Sequence, residues 1–265
     1  MSTNQKISGG NSSAAAAGGV VAAADSQAGN PVSKKSDLTV NGGNNAQTTK
    51  NNKQIIIALA GNPNAGKTTL FNALTGMRQK VANYPGVTVE RKEGFWKLPE
   101  TRRAARLIDL PGLYSLDATS LDEQIARDVL TGKVRNLPAP DVIVAVVDAT
   151  NLERNLYLAT QLIEYKIPVV VALTMSDRAE KQELEIDVEK LSGLLQVPVV
   201  QVTAAKRGGL KELAEKVLQA AGGVQKIPAE LEADAGESDN AKIFARYNFI
   251  SDVFQETVRD KRSFE

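Results

Sequence analysis

Lys67 closes the run Gly61-Asn62-Pro63-Asn64-Ala65-Gly66-Lys67-Thr68, which matches G-x-x-x-x-G-K-[ST] at every fixed position. Glycines in such a run let backbone amides turn inward around phosphate oxygens. A helix that follows presents free N–H groups and the positive end of its dipole to the same anion. Lys67 would neutralise β/γ-phosphates, and the Thr68 hydroxyl would ligate Mg²⁺. Gly61, Asn62, Pro63, Asn64, Ala65, Gly66, Lys67, Thr68 and Thr69 are therefore the expected nucleotide-binding loop.

Two further stretches follow at even spacing. Thr88 lies 21 residues after Lys67, and Asp109-Leu110-Pro111-Gly112 begins another 21 on. A carboxylate at the end of a strand, here Asp109, can hold Mg²⁺ through water, and the Gly112 amide can meet a γ-phosphate. A threonine in a mobile loop completes the metal shell only when that phosphate is present, which is how a nucleotide switch works. Lys67, Thr88, Gly112 and Asn64 are the expected catalytic residues, and Thr68, Thr88 and Asp109 the expected Mg²⁺ residues.

Base choice would be made further on. Thr174-Met175-Ser176-Asp177 stands where guanine-specific NTPases carry Asn-Lys-x-Asp. Asp177 would accept from guanine N1 and N2, which adenine cannot match. Thr174 replaces an asparagine whose amide contacts the base and braces the phosphate loop, so ATP stays open as a second nucleotide. The competing role for Ser176 or Asp177 is a helix N-cap. Thr203-Ala204-Ala205 occupies the place of a Ser-Ala motif whose backbone reads the guanine oxygen.

These residues need a frame. Ile55–Ala60, Arg106–Asp109, Val142–Val147, Val169–Leu173 and Val199–Val202 read as strands whose near-continuous apolar character suits a sheet covered on both faces. Helical patterns at Thr68–Leu74, Leu121–Leu130, Leu152–Tyr165, Val188–Leu195 and Leu210–Ala220 alternate with them. The fold class is α/β: a P-loop NTPase of the Ras-like G-domain type, with a mainly parallel, doubly wound sheet. Residues 1–52, rich in Ser, Ala, Gly and Asn, read as a disordered tail, and 53–222 as the G domain. Residues 223–265 read as a polar linker and a small helical region. There Ile243, Phe244, Tyr247, Ile250, Val253 and Phe254 fall on one side of a helix over Ala241–Phe254.

Composition narrows the chemistry. Of 265 residues, 32 are Lys or Arg and 31 Asp or Glu, a net charge of +1 that disfavours nucleic acid as the main partner. There is no Cys and no His, which removes thiolate sites, the commonest general base and the commonest zinc ligand. No run approaches the roughly 20 apolar residues of a spanning helix, so the expectation is a soluble chain.

Gly61–Thr69, Gly86–Gly94, Asp109–Leu116 and Asp148–Leu158 together closely resemble the cytoplasmic N-terminal domain of FeoB, the bacterial ferrous iron transport protein family, over about 54–217. A fainter echo lies in Ala245–Ile250. The resemblance implies a GTPase domain, then a small helical domain like a dissociation inhibitor, then a membrane permease as partner. It places the longer protein at the cytoplasmic face of the inner membrane, with homo-oligomers open. It implies a first switch over Asn83–Gly94 and a second over Leu113–Gln124. Leu113 and Tyr114 stand where Ras-like proteins carry the water-orienting glutamine, so slow hydrolysis is expected, and neither Glu123 nor Gln124 is given a role. Asn64 has a side-chain oxygen suited to a K⁺ ion beside Mg²⁺, the use this family makes of the matching residue. The alternatives are a cytosolic GTPase of ribosome assembly or tRNA modification, and a nucleotide sensor that does not hydrolyse.

Overall fold

The computed structural model describes residues 54–99, 104–117, 119–232 and 238–261. The expected tail over 1–52 lies outside them. Five parallel strands make up most of one sheet: β1 (Ile56–Gly61), β4 (Ala104–Asp109), β5 (Val142–Asp148), β6 (Val169–Thr174) and β8 (Val199–Gln201). Two antiparallel strands, β2 (Gln79–Asn83) and β3 (Glu90–Lys97), extend one edge, giving the order β2-β3-β4-β1-β5-β6-β8.

Alternation is real inside the apolar runs. Ile57 and Leu59 of β1 share a core with Val142, Val144 and Val146 of β5, while Ile56, Ala58 and Ala60 face the other way with Ile143, Ala145 and Val147. Each face has its own helices. The helices α1 (Lys67–Thr75) and α6 (Leu210–Ala220) cover the first face. The second is covered by α2 (Leu121–Leu130), α3 (Leu152–Glu164), α5 (Val188–Leu195) and α7 (Asp239–Thr257). A short helix, α4 (Ser176–Lys181), follows β6.

The β2–β3 hairpin adds to the sequence reading, which assigned neither segment to a strand. Gln79–Asn83 is almost wholly exposed and shows no apolar period. It is a strand because β3 pairs with it, Gln79 opposite Gly94 through Asn83 opposite Glu90, and β3 in turn pairs with β4. Polar character on an outer strand also discourages edge-to-edge association. The expected first switch is consequently strand at both ends, and only Tyr84–Val89 connects the two.

A correction concerns α7. Phe244 and Tyr247 are exposed, and the buried stripe is Arg246, Phe249, Ile250, Val253 and Thr257. The guanidinium of Arg246 belongs in it because it meets Glu164 of α3 at 2.7 Å. A small second sheet fastens the end of α7: β7 (Leu184–Ile186) pairs antiparallel with β9 (Val258–Asp260).

Candidate nucleotide site

In a parallel sheet the carboxyl ends of the strands share one edge, where α/β proteins place their ligands. Here that edge carries the loop Gly61–Gly66 after β1, Asp109–Gly112 at the end of β4, Thr174–Asp177 at the end of β6 and Thr203–Ala205 after β8. Because β3 runs antiparallel with Lys92 opposite Asp109, the Tyr84–Val89 loop and its exposed Thr88 reach the same edge.

The phosphate loop is shaped by steric necessity at both ends. A Cβ on Gly61 would stand 2.7 Å from the Val146 carbonyl oxygen, so only glycine lets β1 lie this close to β5 as the chain turns away. Gly66 sits at φ 86°, a left-handed conformation costly for residues with a Cβ, and delivers the chain into α1. No side chain caps α1, and its first turn has no acidic residue. Its amides and dipole therefore face the loop without a competing carboxylate.

Lys67 is already organised: Nζ donates to Asp109 Oδ1 at 2.7 Å and to the Leu110 carbonyl at 2.6 Å, with both charged side chains at most 10% exposed. Thus the predicted phosphate cation and the predicted metal carboxylate meet. Thr68 and Thr69 are exposed in the first turn of α1. Hydroxyls and one carboxylate are hard oxygen donors suited to Mg²⁺ held mainly by phosphate and water. The described residues contain no cluster of three or more acidic, His or Cys side chains that would make an all-protein cage.

The expected base-side loops lie at the same edge of the sheet. Thr174 is buried, and its hydroxyl lies 2.7 Å from the Ala65 carbonyl and 3.1 Å from that of Val147. Met175 takes the N-cap position of α4 at φ 59° with no side-chain cap, so neither Ser176 nor Asp177 caps this helix. Asp177 is exposed in its first turn. Thr203 and Gly208 exchange backbone hydrogen bonds of 3.1 and 3.2 Å, which shape the turn through Ala204 and Ala205.

The expected second switch, Leu113–Gln124, is anchored largely by residues outside the nucleotide motifs. Leu113 N donates to Gly61 O at 3.2 Å. From α3, Gln161 accepts from Leu116 N and donates to Asp117 Oδ1. Glu123 is engaged in a capping box with Ser120 and accepts from Ser115 Oγ at 2.9 Å and from Thr119. Burial pushes the Glu123 carboxyl up, but these hydrogen bonds outweigh it and leave its pKa lowered. Only the Ser120–Glu123 spacing was readable beforehand. In the Tyr84–Val89 loop, burial drives the Tyr84 phenol well above its ordinary value, partly offset by Arg91 and reinforced by Asp109 and Glu93.

This fold and loop set define a P-loop NTPase of the G-domain type. The family model for ferrous iron transport protein B matches residues 55–217, and the chain belongs to that family. The chain is 52% identical over 166 residues to the Fe(2+) transporter FeoB of Salmonella typhimurium, covering 61% of this chain and 20% of that protein. It spans about a fifth of the length of the curated relatives it matches. Among solved structures, the cytosolic domain of L. pneumophila FeoB is 36% identical with a TM-score of 0.67, over 77% of this chain and 99% of that one. A GDP-bound point mutant of the S. thermophilus FeoB G domain is 34% identical at the same TM-score, over 78% and 100%.

Proposed function

We propose that this domain binds and hydrolyses GTP and that its nucleotide state regulates a ferrous iron permease in the remainder of a longer membrane protein. The observation that carries the reading is the preorganised phosphate loop, in which Lys67 is held on Asp109 and Leu110 O while Thr174 braces Ala65. The longer protein's location at the cytoplasmic face of the inner membrane is inferred from the family. No helix among the described residues is long and apolar enough to cross a membrane.

In this reading the backbone amides of Gly61–Lys67 cradle the phosphates, and Lys67 moves from Asp109 toward the β/γ-oxygens. Thr68, Thr88 and Asp109 would hold Mg²⁺, which when bound would neutralise charge on the phosphates. Gly112 N–H donates to the γ-phosphate, and Asp177 with the Thr203–Ala205 backbone reads guanine. Asn64 is exposed at φ 65°, a conformation asparagine tolerates, and its side-chain oxygen is free to hold K⁺, which would add positive charge at the reacting phosphates. With neither His nor a glutamine at Leu113 or Tyr114, hydrolysis is slow.

Affinities of the purified chain for GTP, GDP and ATP, with phosphate release followed alongside, test the reading. GTP and GDP should bind with Mg²⁺ and GTP should be turned over. Binding without turnover would leave a nucleotide sensor, and no binding would end the proposal.

A further inference from the structure

A cleft of about 490 Å³ opens between the second switch and the helices beside it. Tyr114 and Ser115 form one wall, Arg154 and Tyr157 of α3 another, and Tyr247 of α7 closes it. One residue of the phosphate loop reaches this cleft, and it is Asn62. Asn62 is 4% exposed, and neither its Oδ1 nor its Nδ2 has a hydrogen-bond partner. Each unmade bond on a buried amide is destabilising, and native proteins seldom leave both ends of one unpaired. In the proposed reading the loop meets phosphate with backbone amides and Lys67, so it does not require an amide side chain here.

The neighbours of Asn62 are the parts of the second switch that would have to move. Gly112 packs so closely on Pro63 that an added Cβ would stand 3.2 Å from its ring, and Leu113 N is bonded to Gly61 O. The switch backbone therefore enters the cleft beside Asn62. Beyond that point its side chains are held elsewhere. Ser115 donates to Glu123, and the Tyr114 ring lies under the Arg154 guanidinium at 4.5 Å. From the same wall the Tyr157 ring meets Tyr247 of α7 at 5.1 Å.

We propose that Asn62 is a positioning residue that reports the terminal phosphate to the second switch. Its amide is unpaired in the present arrangement and is taken by the Tyr114–Ser115 segment when Gly112 draws the switch onto a triphosphate. Pairing gives the closed switch a differential stabilisation that a diphosphate cannot elicit. It also lifts Tyr114 off Arg154, on the wall that touches α7. The inference rests on the proposed GTP-dependent switch and adds the group that couples its two halves.

Asn62→Leu tests it, because it removes both ends of the amide while keeping the branched shape of the side chain. The expected result is a melting temperature at or above that of the parent, since an unpaired buried group is gone. The affinity ratio of a non-hydrolysable GTP analogue to GDP should fall about tenfold, the worth of one to two hydrogen bonds. Backbone amide exchange over residues 113–117 should no longer slow when the analogue replaces GDP. Asn62→Ala, which cannot clash, should lose the same ratio and the same protection, and it serves if the leucine variant does not fold. A ratio and protection equal to the parent's would overturn the proposal. So would a lowered melting temperature with equal losses for both nucleotides, the signature of a water-bridged structural amide. A parent chain that binds neither nucleotide would remove the proposed function and this role together. A parent that distinguishes them while both variants do so equally removes only the role of Asn62.

Discussion

Thr174 Oγ1 lies 2.7 Å from the carbonyl oxygen of Ala65, so the end of β6 is bonded into the middle of the phosphate loop. A threonine thus supplies the brace that asparagine provides in the usual motif, without supplying an amide to the base. Thr174→Val keeps the volume and deletes the donor. It should destabilise the domain by about 1–3 kcal/mol, the cost of stranding a buried partner, and weaken nucleotide binding. Thr174→Asn should sharpen GTP over ATP by about 0.5–1.5 kcal/mol, one good hydrogen bond. Thermal melts and competitive titrations measure both. An unchanged GTP/ATP ratio in Thr174→Asn would mean that position 174 does not reach the base.

Lys67→Ala should cost about 2–5 kcal/mol of nucleotide affinity, the range for truncating one member of a buried charged pair. The structure adds a second expectation. Asp109 is 7% exposed and would lose its charged partner, so the variant should also melt at a lower temperature. Calorimetric titration against GDP and GTP, beside a melt of the free protein, separates the two effects. Full GTP affinity in a folded variant would end the assignment of the loop.

Thr88 stands exposed on the Tyr84–Val89 loop and is expected at the metal only in the triphosphate state. Thr88→Ala should therefore weaken a GTP analogue relative to GDP and slow phosphate release. Equal losses for the two nucleotides would place Thr88 outside the switch.

Glu123 carries a pH dependence whose sign is set by its lowered pKa. The unfolded chain takes up this proton at a higher pH than the folded one. The contribution to stability is thus complete above the ordinary value of 4.5 and is lost as pH falls through the folded value. Glu123→Ala should cost about 0.5–2 kcal/mol, as for a lost helix cap, and should flatten the acid limb of a stability–pH profile. A parallel profile for parent and variant would show that the capping box adds nothing in solution.

For Asn64, phosphate release should be faster in K⁺ than in Na⁺ at equal ionic strength, and Asn64→Ala should abolish the difference. Identical parent rates in the two salts would remove K⁺ from the mechanism and favour a nucleotide sensor.

The amino-acid sequence by itself determined the central strands, most helices and the order of the phosphate and base-side loops. Those features are written in local signals: Ile56–Ala60 and Val142–Val147 are apolar because both faces of a parallel strand are covered, and Gly66 answers to a left-handed backbone at the start of α1. Even the bounds of α2, α5 and α6 follow from such local signals. Tertiary structure alone decided that Gln79–Asn83 is a strand, because its hydrogen bonds come from β3 and nothing in its own residues demands them. It also decided which side of α7 is buried, because the Arg246–Glu164 pair admits a guanidinium while leaving Phe244 outside. The contacts of Lys67 with Asp109, Thr174 with Ala65 and Gln161 with Leu116 join residues 42 to 109 positions apart. No period or motif records such pairings, since they exist only once the sheet has brought the ends of its strands to one edge.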